Sequence, residues 1–156
     1  MKKFELTTES ITNVAGKKIF RIKALVEFGN VKAGELGGYV EKEGNVSQDG
    51  NAWVSGNAWV FGDAKVTGNA KISGNAQVSG NTDYALAQGF GTKFRCTTFY
   101  RGKNKKIMVN CGCFHGDLEE FRKQVKETRS GKIAKEYLMI ADLMEYHFTS
   151  EDSSNE

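Results

Sequence analysis

The 156-residue chain contains no proline, only two histidines and an odd number of cysteines, three. No run of apolar residues approaches the roughly 18 that a membrane-spanning helix needs. Residues 1–5 lack the apolar stretch of a secretory signal peptide, so we expect a cytoplasmic protein. Thiols stay reduced in that compartment, and the odd cysteine count does not indicate a disulfide framework.

The net charge is also small, only +3, because 22 basic residues are nearly balanced by 19 acidic ones. A balance this mild does not by itself indicate a polyanion as the main partner. The polar and acidic residues 149–156 are typical of a disordered tail.

Glycine, in contrast, recurs at every sixth position from residue 38 to residue 80. Asn or Asp follows seven of these eight glycines, a pairing typical of tight corners that need a positive φ. Between corners, small and aliphatic residues alternate with other types, which predicts that the third and fifth residues of each hexad point inward. The clearest inward positions are Ala52, Val54, Ala58, Val60, Ala64, Val66, Ala70, Ile72, Ala76 and Val78.

Sides of six residues with tight corners suit a triangular coil of 18 residues, so residues 32–85 predict about three coils. A stack this short cannot cover its own ends. We therefore expect cap strands in residues 1–31, arranged as an N-terminal hairpin, and a small ββαα domain in residues 86–148. The predicted fold class is mainly β with C-terminal α, built around a short three-sided parallel β-helix.

Two inward slots of the first coil hold polar residues, Lys42 and Gln48. Either the register slips there or a capping segment supplies hydrogen-bond partners, because a buried polar group without partners is costly. Stacking at 18 residues otherwise predicts outer columns such as Glu41–Trp59–Gln77.

The middle coil carries three outward aromatic residues, which is unusual for a solvated surface. Either the flanking segments cover them, or they form a contact patch for a partner, since aromatic residues dominate interface anchors. Acidic residues of the first coil and a lysine of the last coil would form its polar rim. The predicted partner-binding residues are Trp53, Trp59, Phe61, Glu41, Glu43 and Lys71.

A basic hairpin after the repeat is a second candidate contact, to nucleic acid or to a protein partner. Charged hairpin tips more often serve solubility alone, so nucleic acid is the less favoured partner. The residues concerned are Arg95, Arg101, Lys103, Lys105 and Lys106.

Catalytic and metal chemistry find little support in the sequence. The repeat contains no histidine, and neither His115 nor His147 has a serine or cysteine partner at a recognisable spacing, so we expect no enzyme. Cys96, Cys111, Cys113 and His115 are residue types that bind zinc. Because a C-x-C-x-H strand strains tetrahedral geometry, small core thiols are the favoured interpretation, and we expect no metal and no cofactor.

Residues 20–25 and 31–41, leading into the Gly-Asn-Ala-Trp-Val repeats, resemble small hexapeptide-repeat proteins of phages and prophages. Residues 111–116, with Tyr137, are similar to the C-terminal domain attached to many of them. The resemblance implies a left-handed β-helix, a phage accessory role and no catalytic residues.

On this resemblance we expect a non-catalytic accessory binding protein that inhibits a bacterial defence complex such as CRISPR–Cas, an anti-defence or anti-CRISPR role. The partner would be a host defence protein. The alternative is a ligand-sequestering or structural homo-oligomer, and an acyltransferase-like enzyme is less favoured. No membrane partner is expected.

Overall fold

A computed structural model describes residues 2–13, 16–102, 105–112 and 114–149 of the chain. Apart from Thr149, the predicted tail lies outside these ranges. The strands are β1 (Phe4–Thr12), β2 (Lys18–Ala24), β3 (Leu36–Val40), β4 (Trp53–Val54), β5 (Trp59–Val60), β6 (Lys71–Ile72), β7 (Gln77–Val78), β8 (Tyr84–Phe90), β9 (Arg95–Arg101), β10 (Ile107–Cys111) and β11 (Phe114–Asp117). The helices are α1 (Leu118–Thr128) and α2 (Gly131–Thr149).

Three sheets organise the strands. A five-stranded sheet has the order β1-β2-β3-β5-β7, with antiparallel pairing up to β3 and parallel pairing from β3 onward. A two-stranded parallel sheet joins β4 to β6. A four-stranded antiparallel sheet has the order β11-β10-β9-β8.

The predicted fold class is wrong in its architecture, because these sheets do not form a three-sided parallel β-helix with separate caps. β1 and β2 belong to the same mixed sheet that takes β5 and β7 from the repeat. A third repeat side is represented, among the described residues, only by a bridge between Val46 and Val66. Four strands rather than two precede the C-terminal helices. Repeat strands of two residues are too short to form the continuous walls that the prediction required.

The register of the repeat slips by two residues, which is one of the two outcomes that the polar inward slots left open. Tyr39 pairs with Trp59, an offset of 20 residues, whereas Trp59 pairs with Gln77, an offset of 18. The change falls after Val46, which still bridges Val66 at the longer offset. The chain between Val46 and Trp53 therefore has two residues more than the chain between their partners Val66 and Lys71. The expected column Glu41–Trp59–Gln77 is in fact Tyr39–Trp59–Gln77.

The prediction of inward positions between residues 52 and 78 is confirmed, because all ten side chains are buried in one hydrophobic cluster. Alternation accounts for this, since every second residue of an extended chain faces the same side. Leu36 and Lys42, predicted to point inward in the first coil, are exposed instead. Both precede the slip, whereas the ten confirmed positions follow it.

The four-stranded sheet has a hydrophobic cluster on each face. Tyr100 and Met108 contact the repeat core, whereas their neighbours Phe99 and Val109 pack with α1 and α2. Side chains alternate across a strand, so β9 and β10 contribute to both cores at once. The sheet thus joins the repeat segment to the helices.

Helix α1 begins at Leu118, directly after Asp117. The carboxylate of Asp117 accepts the backbone N–H of Glu120 at 2.8 Å, and the carboxylate of Glu120 accepts that of Asp117 at 2.9 Å, which is a capping box. Among the described residues, no helix is long and apolar enough to cross a membrane.

Replacing Ala70 with leucine tests the packing of the repeat core. Ala70 is fully buried, so the added side chain should overpack the core and lower the free energy of unfolding by about 1–3 kcal/mol. Gln77→Leu adds a similar side chain at an exposed position and should change stability by less than about 0.5 kcal/mol. Urea unfolding followed by circular dichroism measures both, and equal effects would contradict the assigned core.

Asp117 offers a test of pH dependence. The hydrogen bond from the backbone of Glu120 holds the pKa of the Asp117 carboxyl below its ordinary value. The stability that depends on this charge is therefore present above the unfolded pKa of about 4 and is lost as the pH falls through the lower folded pKa. At neutral pH, Asp117→Ala should cost about 1 kcal/mol, and Asp117→Asn, which still caps, should cost less.

Urea unfolding at about pH 7 and about pH 3 should show that the advantage of wild type over Asp117→Asn shrinks in acid. An advantage that grows in acid would mean that the charge of Asp117 is not stabilising.

Candidate functional site

An aromatic row crosses the outer side of the five-stranded sheet. Pairing aligns Arg21, Tyr39, Trp59 and Gln77 on successive strands. Phe61 follows Trp59 by two residues in extended chain and so points to the same side. Tyr39 is buried, whereas Trp59 and Phe61 are half-buried. We call Tyr39, Trp59 and Phe61 the aromatic face.

Hydrogen bonds hold Tyr39 at one end of the aromatic face. The Arg21 Nη2 donates to the Tyr39 hydroxyl at 2.7 Å, and that hydroxyl lies 3.1 Å from the Glu9 carboxylate. The guanidinium carbon of Arg21 also stacks 4.4 Å from the centre of the Tyr39 ring. A charge-assisted network of this kind fixes the side chains that border the exposed rings.

The two predicted acidic rim residues are both engaged within the protein. Glu41 accepts the backbone N–H of Gly62 at 2.9 Å, and this hydrogen bond lowers the pKa of its carboxyl. Lys17 lies 3.5 Å from the same carboxylate. Glu43 pairs with Lys2 at 3.0 Å. Glu41 borders the aromatic face, since its backbone pairs beside that of residue 61.

Trp53 does not belong to the aromatic face, although the repeat pattern predicts that it points outward like Trp59. It is only 4% exposed and packs edge-on against Phe28 and Phe4, with ring centres 5.2 and 6.1 Å away. A Cβ atom on Gly37 would lie only 2.7 Å from its indole. Flanking segments therefore cover Trp53, as one of the two sequence-based alternatives proposed for all three aromatics.

Side chains satisfy the backbone at both ends of the repeat stack. At one end the Lys3 ammonium, only 4% exposed, donates to the carbonyl of Ala52 at 2.7 Å, and burial lowers its pKa. At the other end Thr98 accepts the N–H of Lys71 at 3.0 Å, and Asn110 donates to the Lys71 carbonyl at 2.6 Å. In the β4–β6 sheet, groups that could template a further strand are thereby occupied.

A polar network that the sequence analysis did not predict lies between the repeat and the four-stranded sheet. The hydroxyl of Tyr100 lies 3.2 Å from the Ser73 hydroxyl and 3.0 Å from Nε2 of His115. Asn110 donates to the Ser73 hydroxyl at 3.1 Å. Burial raises the pKa of Tyr100. Because the phenol separates serine from imidazole, His115 is not placed to take the serine proton directly. Period-2 alternation in the hairpin was the only available signal for this network.

The cysteines that could be described do not converge. Thr97 pairs with Cys111 across β9 and β10 and donates to its sulfur at 3.1 Å, so the two share one face of the sheet. Cys96, the neighbour of Thr97, faces the opposite side. Cys113 lies outside the described residues, among which no three His, Cys, Asp or Glu side chains could hold a metal ion.

The predicted basic hairpin is divided by the structure. Arg101 pairs with Asp83 at 3.1 Å and stacks 5.2 Å from the Phe148 ring, and Lys106 pairs with Asp117 at 3.3 Å.

Lys105 is exposed, and Lys103 lies outside the described residues. Arg95 begins β9, at the opposite end from Arg101.

Comparison with protein-family models yields no match, and comparison with curated proteins yields no significant match either. The chemistry of the surfaces themselves must therefore carry the functional argument.

Truncating the two tryptophans should separate a buried ring from a surface ring. Trp53→Ala should cost about 3–5 kcal/mol of unfolding free energy, as expected for a large aromatic side chain lost from a core. Trp59→Ala should cost only about 1–2 kcal/mol. Trp53→Phe keeps most of the packing and should fall well below Trp53→Ala. Thermal and urea unfolding measure all three, and a larger loss for Trp59→Ala would contradict the assignment.

Proposed function

We propose that the protein is a non-catalytic binding protein whose protein partner docks on the aromatic face. One observation carries this proposal: Trp59 and Phe61 stay partly exposed in the middle of a sheet, while the next layer has the polar residues Gln77 and Ser79 at the corresponding outward positions. The fold thus tolerates small or polar side chains there. Partly exposed tryptophan and phenylalanine are typical anchors of protein interfaces.

The surroundings of the aromatic face support a specific interface. The Arg21–Glu9 ion pair at 3.1 Å borders one part, and the Glu41–Lys17 pair at 3.5 Å borders another. Such charged borders orient a partner and slow the binding of wrong ones more than they add affinity. Burying each of the two exposed rings could contribute on the order of 2 kcal/mol, so a micromolar interaction, about 8 kcal/mol, also needs contacts around them.

The setting of this binding follows from the resemblance of residues 20–25 and 31–41 to phage and prophage hexapeptide-repeat proteins. A phage accessory protein of this kind would act by occupying a surface of host machinery. We therefore propose a component of a bacterial defence complex, such as CRISPR–Cas, as the partner. Inhibition would come from occlusion and would need no catalytic group.

The alternative that the protein is a structural homo-oligomer has less support if the oligomer is a filament grown end to end. Side chains occupy the backbone groups at both ends of the repeat stack, through Lys3 at one end and Thr98 and Asn110 at the other. End-to-end growth would have to displace these contacts. A closed oligomer through the aromatic face remains the competing form, and light scattering of the purified protein distinguishes it from a monomer.

Substitution on the aromatic face tests the proposed function. Trp59→Ala and Phe61→Ala should each weaken partner binding by roughly tenfold or more, because each removes an anchor. The protein should first be used to capture partners from lysate of a bacterium with an active defence system. Binding of the purified candidate is then measured by calorimetry with wild type and variants.

Tyr146→Ala is the matched control, since it removes an aromatic ring that is 69% exposed on α2, away from the five-stranded sheet. It should leave the affinity unchanged. An equal loss for Tyr146→Ala, or full affinity for both aromatic-face variants, would remove the basis for this docking site.

A further inference from the structure

Two clefts meet at Arg95, and among the described residues both are lined by basic side chains and neither by an acidic one. A cleft of about 370 Å³ lies between the Asn-bearing corners of the repeat, the start of β9 and the end of β10, with Lys71 and Arg95 in its wall. A cleft of about 460 Å³ lies between the β8–β9 turn and the junction of α1 with α2, with Lys93, Arg95 and Arg129 in its wall. Arg95 lines both, and we call the pair the double cleft.

The arginines of the double cleft differ from the other arginines of the chain. Arg21, Arg101 and Arg122 each form ion pairs with carboxylates. Arg95 and Arg129 have no carboxylate within ion-pair distance among the described residues, and both line the larger cleft. Two guanidinium groups facing a cleft without acidic residues favour an anionic ligand.

The backbone places Arg95 in position. Gly112 has a φ of +60°, and a Cβ atom added there would lie only 2.8 Å from Nη1 of Arg95. The guanidinium therefore lies across the bare backbone of the β10–β11 turn. Contact of this kind restricts the side chain before any ligand arrives, which reduces the entropy lost on binding.

Uncharged polar groups supplement the cations. Hydroxyls are suited to phosphate oxygens, and amides can donate to and accept from base edges. The smaller cleft is lined by the amides of Asn30, Asn51, Asn69 and Asn110. The larger cleft is lined by the hydroxyls of Thr92, Thr128 and Ser130.

One residue of the β8–β9 turn has an exposed aromatic ring. Phe94 is 65% exposed and separates Lys93 from Arg95 in the turn that borders the larger cleft. Its φ is +53°, a conformation that is costly for a residue with a bulky side chain and that clusters at functional sites. A ring held out to solvent between two cations is suited to stacking on an unpaired base.

From these features we infer that single-stranded nucleic acid binds along the double cleft. Its phosphates would contact Arg95, Arg129 and Lys71, and one base would stack on Phe94. A single strand fits better than a duplex, because only a splayed base can stack on the ring of Phe94. This surface is separate from the aromatic face, so the inference does not depend on the proposed protein partner.

Fluorescence anisotropy with labelled oligo-dT and oligo-U of about 15 nucleotides tests the inference. Wild type should bind at about 50 mM salt and weaken steeply by about 200 mM. The double variant Arg95→Ala/Arg129→Ala should lower the magnitude of the logarithmic salt slope by about 1.4, corresponding to two lost phosphate contacts. Phe94→Ala should weaken binding by about tenfold or more with little change in that slope.

Lys23→Ala/Lys42→Ala is the charge-matched control, because both lysines are exposed and lie outside the double cleft. It should bind nearly as wild type does, and Arg95→Lys/Arg129→Lys should retain most of the salt dependence. Circular dichroism should show that every variant is folded, since the substituted side chains are exposed.

The inference is overturned if wild type binds neither oligonucleotide at about 100 μM protein and low salt. It is likewise overturned if the control variant loses as much affinity as the cleft variant, or if duplex competes as well as single strand. Loss of a protein partner from the cleft variant, without oligonucleotide binding by wild type, would assign the double cleft to that protein instead.

Discussion

Strands of two residues leave most of their backbone groups to be satisfied by neighbours, and the rest of this structure depends on how that is done. Inside the repeat, each layer bonds to the next, as Trp53 does to Ala70 and Trp59 to Ala76. At the ends no further layer follows. There the buried ammonium of Lys3 and the side chains of Thr98 and Asn110 take the place of a strand. The segments before and after the repeat therefore supply hydrogen bonds that the repeat does not supply itself at these ends.

This constraint explains which parts of the fold could be predicted. The burial of Ala58 and Val60 follows from local alternation, and alternation is visible in any six residues of the repeat. The slip after Val46 is not local. It coincides with Gln48, whose amide accepts the backbone N–H groups of Lys3 and Phe4 at 2.7 and 3.2 Å. A contact between residues more than 40 positions apart does not change the six-residue spacing of the glycines. The pairing between layers could therefore not be predicted from that spacing.

The same distinction applies to the candidate sites. Trp53 and Trp59 occupy equivalent outward positions in successive hexads. Phe28 nevertheless covers Trp53, whereas Trp59 lies on an open face of the sheet. Alternation along the chain determines on which side of the strand a side chain lies, and only the tertiary structure determines what covers that side. Among the basic residues, Arg101 lies opposite Asp83, while Arg95, six residues earlier, faces no carboxylate of the described chain. Charge counting along the hairpin could not separate a structural ion pair from a cation available to a ligand.

The double cleft belongs to the junction between the two hydrophobic cores. Lys71 is carried by the repeat, and Arg95 begins the strand that supplies Tyr100 to the repeat core and Phe99 to the helical core. The backbone of Lys71 is held on both sides, by Thr98 and by Asn110, which belong to that sheet. The spacing of the two cations is therefore fixed by the contacts that close the end of the repeat stack. The aromatic face has no such dependence, because its rings stand on β3 and on the chain around β5 within one sheet. The contacts that cap the repeat thus also form the double cleft. Substitutions in the double cleft and on the aromatic face can therefore act independently of each other.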